Sequence, residues 1–115
     1  MDKQSRRQAI AAYKERKVRQ GVFAVRCAAT GESWLGLSRN LDAQWNSISM
    51  GLRHGTHRNK GLQETWNAHG GATIGLAVVE VVDTEDLTPY MRESRLKERL
   101  AHWLATTPGA RPMLA

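Results

Sequence analysis

The chain has 115 residues, of which 41% are hydrophobic and 24% charged, and its formal net charge is +6. These values fit one globular domain with a modest core, and no apolar run approaches the ~20 residues that a membrane span needs. A single cysteine, Cys27, excludes an intramolecular disulfide, so we expect a cytoplasmic protein. The positive charge favours a polyanionic partner, and we expect nucleic acid rather than a membrane. Nothing in the sequence indicates an oligomeric state.

Positive charge is concentrated in two segments. The first 20 residues carry seven Lys or Arg against two acidic side chains, with good helix formers but only a thin apolar stripe, which predicts an exposed basic helical arm over residues 1–20. The second segment covers residues 39–60. The candidates for contacts with phosphates are Arg6, Arg7, Lys14, Arg16, Lys17, Arg39, Arg53, His54, His57, Arg58 and Lys60. An ordinary solvated surface is the alternative for both segments.

The first half of the domain is predicted to contain a hairpin and two helices. Residues 22–28 and 33–37 are short apolar runs joined by Ala-Thr-Gly-Glu, a pattern typical of two antiparallel strands with a tight loop. From Leu41, apolar residues at helical spacing predict an amphipathic helix that ends before Gly55. A second helix with the same stripe is predicted to end before Gly70.

A strand and a helix are predicted in the second half. The β-branched run at 73–82 predicts a central strand. Thr88 and Pro89 are typical of the N-cap and first position of a helix, which we expect to continue to about residue 105. Prolines and a glycine then predict a C-terminal tail at 108–115. The order of elements predicts an α+β domain over residues 21–107, with a small three-stranded, mainly antiparallel sheet flanked by helices.

Two tripeptides of the hairpin, Gly-Val-Phe at 21–23 and Trp-Leu-Gly at 34–36, place their aromatic residues 11 positions apart. They resemble the paired motifs of the GIY-YIG nuclease superfamily. The stretches LSRNLDAQW (37–45) and HRNKGLQETWNAHGG (57–71) are similar to the segments that follow in that family. The resemblance covers residues 21–105 and implies a GIY-YIG fold that cuts or binds DNA, which we expect to be duplex DNA. It also implies, for members that cut, one divalent metal ion held by a glutamate on the last helix.

The family's site positions fall on Phe23, Trp34, Gln44, Ile48, His57 and Leu100. Of these, only His57 keeps the residue that the resemblance implies. Phe23 and Trp34 stand in place of tyrosines, and Gln44 in place of an arginine. Ile48 stands where histidine is often found. Leu100 stands in place of the metal-binding glutamate, and an aliphatic side chain cannot ligate a hard cation. The substitutions predict a degenerate active site, a DNA-binding role and absent or weak endonuclease activity, with no cofactor.

Two other functions stay open. The first is an active endonuclease, dependent on Mg²⁺ or Mn²⁺, whose carboxylate has moved to Glu93 or Glu98. Glu93 shares the helix face of Leu100 but lies about 10 Å away along the axis, and Glu98 projects about 200° around the helix. The second is a protein-interaction module that docks through the N-terminal helix.

Overall fold

The computed structural model describes residues 18–113, which form a mixed sheet flanked by three helices. The elements in chain order are β1 (Gly21–Cys27), β2 (Ser33–Ser38), α1 (Leu41–His54), α2 (Lys60–His69), a 3-10 turn (Gly71–Thr73), β3 (Ile74–Val81), α3 (Pro89–Thr106) and β4 (Arg111–Pro112). The strand order is β3-β1-β2-β4. β1 pairs antiparallel with β2 and β3, and β4 pairs parallel with β2.

Polar caps and glycines set the helix ends where the sequence predicts them. The side chain of Asn40 accepts a hydrogen bond from the Ala43 amide at the start of α1. Gly55 ends that helix with a φ of 73°, a left-handed conformation that glycine adopts without strain. Thr88 caps α3 by accepting from the Met91 amide, and proline follows it at the first helical position.

The sheet has a core on each face. Strand alternation places Phe23 and Val25 on one face, where they join a buried cluster with Ile48, Leu52 and Leu62 from α1 and α2. The opposite face carries Val22, Ala24 and Leu35, which are also buried, and α3 contacts β1 and β2. Leu96 of α3 is fully buried as well. This arrangement confirms the predicted α+β class with flanking helices.

The sheet has four strands rather than the predicted three. The additional strand, β4, lies in the predicted C-terminal tail and pairs with Trp34 and Leu35. Met113 extends the attachment, because its amide donates to the Leu35 carbonyl at 2.7 Å. A two-residue strand has no periodicity, and Pro112 lacks an amide hydrogen, so this edge strand leaves little trace in the sequence.

The predicted basic helix lies outside the described residues up to position 17, together with Arg6, Arg7, Lys14, Arg16 and Lys17. Arg19 and Gln20, the two residues just before β1, are each held by a contact with another part of the fold. Arg19 forms an ion pair with Asp42 at 2.6 Å, and the Gln20 carbonyl accepts a hydrogen bond from the Val82 amide. No helix within residues 18–113 is long and apolar enough to cross a membrane.

Candidate functional site

Two glycines of the hairpin, Gly21 and Gly36, allow neighbouring groups to pack directly against the backbone of β1 and β2. A Cβ atom at Gly21 would lie 1.9 Å from the Glu80 carbonyl oxygen, next to a register irregularity between β1 and β3. A Cβ atom at Gly36 would lie 2.6 Å from Cζ of Phe23 and 3.1 Å from Cβ of Met113. The Phe23 ring therefore lies over Gly36 and against Met113. Both glycines of the paired motifs are packing requirements.

A cavity of about 560 Å³ opens at the edge of β2, between α1 and α3. Because β4 pairs only with Trp34 and Leu35, the edge formed by the rest of β2 stays open. Phe23, Ile48 and Met113 line the cavity and are nearly inaccessible to solvent. Leu100 of α3 lines it from the other side and is half-buried. The floor of the cavity is therefore apolar.

Charged residues form a rim around this floor. Arg39, Arg58 and Lys97 are the cations that line the cavity, and Glu93 is its carboxylate. Arg39 holds Glu93 in a two-pronged contact, Nη2 to Oε1 at 2.6 Å and Nε to Oε2 at 3.2 Å. The two side chains are 67% and 32% exposed, so solvent screens the pair and its contribution to stability is at most about 1 kcal/mol. The rim carries net positive charge and can exchange Glu93 for another anion.

His57 enters the cavity from the loop between α1 and α2. Its Nδ1 accepts a hydrogen bond from the Asn59 amide at 3.0 Å, so the proton of the neutral ring lies on Nε2. Burial lowers the pKa of His57 below its ordinary value, which favours this neutral form. The loop is fixed by Gln63, whose side chain accepts from the His57 amide and donates to the Leu52 carbonyl. His57 is thus a positioned, neutral hydrogen-bond donor.

The structure brings together five of the six positions that the family resemblance indicates. The positions that line the cavity are Phe23, Gln44, Ile48, His57 and Leu100. Trp34 does not line it, because this residue is 1% exposed and packs in the core beneath α1 and α2. Its indole therefore cannot contact a ligand in the cavity.

The candidate phosphate contacts divide into two groups. Arg39, His57 and Arg58 line the cavity, whereas Arg53, His54 and Lys60 are exposed elsewhere. Lys97 belongs to the rim and was missed by sequence reasoning, which considered only carboxylates on its helix. The signal was available, because Lys97 lies four residues after Glu93 and three before Leu100, spacings that share one helix face.

The residues present do not fit the divalent metal ion that the resemblance implies. Within residues 18–113 no group of three or more His, Cys, Asp or Glu side chains could hold a metal ion. Glu93 lines the cavity, but both of its oxygens are engaged by Arg39. Glu98 is exposed and does not line the cavity. A hard cation needs several oxygen ligands, and the leucine at position 100 supplies none.

Glu80 is a further carboxylate near α3, and its hydrogen bonds hold this helix to the sheet. Its Oε1 accepts hydrogen bonds from Trp103 Nε1 and from Arg99 Nε, each at 2.8 Å. These contacts with Trp103 and then Arg99 lower the pKa of the Glu80 carboxyl. They connect α3 to β3, and Glu80 does not line the cavity. Glu80 is a structural connection.

No family model and no curated protein sequence matches the chain. Solved structures do match it. The catalytic domain of the intron endonuclease I-TevI, in a mutant form, superposes with a TM-score of 0.65 at 18% identity, over 76% of this chain and 82% of that one. A second structure, the catalytic domain of the homing endonuclease I-TevI, gives 0.63 at 19% identity, over 75% and 85%. The chain therefore has a GIY-YIG-like fold, as the hairpin motifs predict.

Proposed function

We propose that the protein is a DNA-binding domain of the GIY-YIG type with absent or weak endonuclease activity. The observation that carries this proposal is the cavity at the family's site positions, which combines an apolar floor with a rim of Arg39, Arg58 and Lys97. The structural neighbours are catalytic domains of an endonuclease, which favours DNA as the polyanion. Cations on the rim neutralise phosphates and release condensed counterions, the main source of affinity for a DNA backbone.

Arg39 is the rim residue best suited to a phosphate. Its guanidinium already binds two carboxylate oxygens in a fork, the same geometry that recognises two oxygens of a phosphate. Binding then consists of exchanging an exposed carboxylate for a phosphate that Arg58 and Lys97 also attract. His57 can add a neutral hydrogen bond from Nε2 to a phosphate oxygen.

The same residues account for weak or absent cleavage. Phosphodiester hydrolysis needs a group that withdraws a proton from water and a cation that stabilises the charge gained by the phosphate. Phe23 has no hydroxyl, Leu100 has no ligand oxygen, and Gln44 is uncharged. The Gln44 carboxamide is moreover held by Ser38, whose hydroxyl donates to Gln44 Oε1 at 2.8 Å. The cavity can hold a phosphate without activating water.

Salt-dependent DNA binding tests the proposal. We expect the purified chain to bind a short duplex, with log K falling linearly with log salt concentration. In the double variant Arg39→Ala/Arg58→Ala the magnitude of that slope should fall by about 2, one for each lost phosphate contact. The matched control is Arg95→Ala, because Arg95 is exposed on α3 but does not line the cavity. Absence of binding at low salt, or equal slopes for all three proteins, would overturn the proposal.

An active endonuclease with Glu93 as the relocated acid is the second candidate, because Glu93 and His57 line the same cavity. The Glu93→Gln variant separates the two functions. A binding domain should gain affinity several-fold, since the change removes a negative charge and releases Arg39. An enzyme should lose its metal-dependent nicking of plasmid DNA. Unchanged or weaker binding together with lost nicking would favour the enzyme.

A further inference from the structure

We infer that the cavity accepts one unpaired nucleotide of a DNA duplex, with its base on the apolar floor and its flanking phosphates on the cationic rim. The inference rests on the proposed function and specifies its substrate class. A flat surface of cations is enough to bind the phosphate backbone of paired DNA. This site is instead a cavity with an apolar interior, which the backbone of a paired duplex would not fill.

The size of the cavity fits a nucleotide. Its volume of about 560 Å³ lies within the range of about 300–1,000 Å³ that is typical of small-molecule pockets. In a paired duplex the base is stacked and hydrogen-bonded to its partner, so the protein meets phosphate, sugar and the edges of the bases in the grooves, but not the face of a base. The exposed part of Leu100 would then stay in contact with water, whereas an extruded base would cover it.

The walls of the cavity offer donors for the edge of a base. The Gln44 carboxamide oxygen is occupied by the Ser38 hydroxyl, while its amide nitrogen makes no hydrogen bond within residues 18–113. His57 uses Nδ1 to accept from Asn59 and likewise keeps Nε2 as a donor. Apolar walls with a few fixed polar groups are typical of pockets that bind an extruded base.

The rim surrounds the opening on three elements. Arg39 follows β2, Arg58 precedes α2, and Lys97 lies on α3. Phosphates on either side of one extruded nucleotide can therefore each meet a cation. Extruding a base from a perfect duplex costs pairing and stacking, and this cost is smallest where the base is already unpaired. The protein should consequently prefer a duplex with a single bulged nucleotide over the perfect duplex.

Competition binding tests the inference with three DNAs of one sequence: the perfect duplex, the same duplex with one bulged nucleotide, and the duplex with an abasic bulge. We expect the bulged duplex to bind about tenfold more tightly than the perfect one, because its base need not be unpaired and unstacked first, and the abasic bulge to lose most of that gain. A fluorescent purine analogue at the bulge should change its emission on binding.

Variants of two leucines on α3 test whether the preference for a bulged nucleotide arises in the cavity. Leu100→Gln should abolish most of the preference for the bulge, measured as the ratio of the affinities for bulged and perfect duplex, because it removes apolar surface that the base would cover. Leu104→Gln is the matched control, because Leu104 is half-buried on the same helix but does not line the cavity. Equal binding of perfect, bulged and abasic DNA would overturn the inference while leaving the proposed function intact, as would a preference that survives Leu100→Gln. Loss of binding to every DNA would instead overturn the proposed function.

Discussion

The glycines of the hairpin and the side chains that line the cavity obey different constraints. Gly21 and Gly36 are fixed by contacts with Glu80 backbone and with Phe23, which no other residue type could keep. The cavity positions Ile48 and Leu100, in contrast, carry apolar side chains in place of the residues that the family resemblance implies. The two sets of positions therefore differ in what a replacement would disturb: strand pairing and packing at the glycines, and the lining of the cavity at the side chains.

This difference follows from where each constraint acts. A glycine against a neighbouring backbone determines whether two strands can pair at all, so its replacement affects the whole sheet. A half-buried side chain at the cavity, such as Leu100, has water on one side and tolerates replacement. Apolar residues at such positions add to packing, and stability increases commonly accompany the loss of polar groups from an active site.

The largest effect is expected for Gly21→Ala. Its Cβ atom would meet the Glu80 carbonyl oxygen at 1.9 Å, so β1 and β3 must separate at this point. We expect the free energy of unfolding to fall by about 3 kcal/mol or more, measured by urea denaturation. Gly75→Ala is the control, because a Cβ at Gly75 of β3 meets nothing within 4 Å. A Gly75→Ala loss as large as that of Gly21→Ala would refute the packing argument.

Gly36→Ala should cost less, because its new methyl meets a side chain rather than backbone. We expect a loss of about 1–3 kcal/mol in the free energy of unfolding from the clash with the Phe23 ring. The double variant Gly36→Ala/Phe23→Leu should cost less than the sum of the two single changes, since the smaller side chain leaves room for the methyl. Additive costs would mean that Gly36 is required for a reason other than the ring.

A cavity position should tolerate even a charge. Leu100→Glu places a carboxylate in the cavity three residues after Lys97, which shares its helix face. Because Leu100 is only half-buried, we expect a loss of about 1–2 kcal/mol in the free energy of unfolding, together with weaker DNA binding from the added negative charge. A loss comparable to that of Gly21→Ala would remove the distinction between fold positions and cavity positions.

The smallest effect concerns the pH dependence contributed by His57. Burial lowers its pKa in the folded protein, so below about pH 6.5 the unfolded chain binds the proton more readily. The stability associated with neutral His57 is therefore present above that pH and declines as the pH falls. Between about pH 7 and 5, wild-type melting temperature should fall more steeply than that of His57→Gln. Parallel pH profiles would contradict a buried, neutral imidazole.

Much of the fold was predictable because its signals are local. Gly55 and Thr88 marked helix ends, and the β-branched run at 73–82 marked β3, which spans Ile74–Val81. Strand β4 was not predictable, because its pairing with β2 depends on Met113 reaching the Leu35 carbonyl, a contact that no short-range pattern encodes.

The sequence indicated most of the positions that line the cavity, but little of the charge arrangement around it. Motif spacing identified five residues that line the cavity, including His57 and Leu100. It placed Trp34 among them, although strand alternation and packing bury this side chain in the core. The pairing of Arg39 with Glu93 joins residues 54 positions apart, so it emerges only when α3 is packed beside the end of β2.

A combined binding and nicking experiment on supercoiled plasmid tests the central claim most directly. Wild-type protein at a concentration that retards all of the plasmid would be incubated with Mg²⁺ and, separately, with Mn²⁺. The account predicts that the plasmid is bound yet stays supercoiled, and that Glu93→Gln binds it more tightly with the same outcome. Metal-dependent nicking that disappears in Glu93→Gln would contradict the account and establish an active endonuclease.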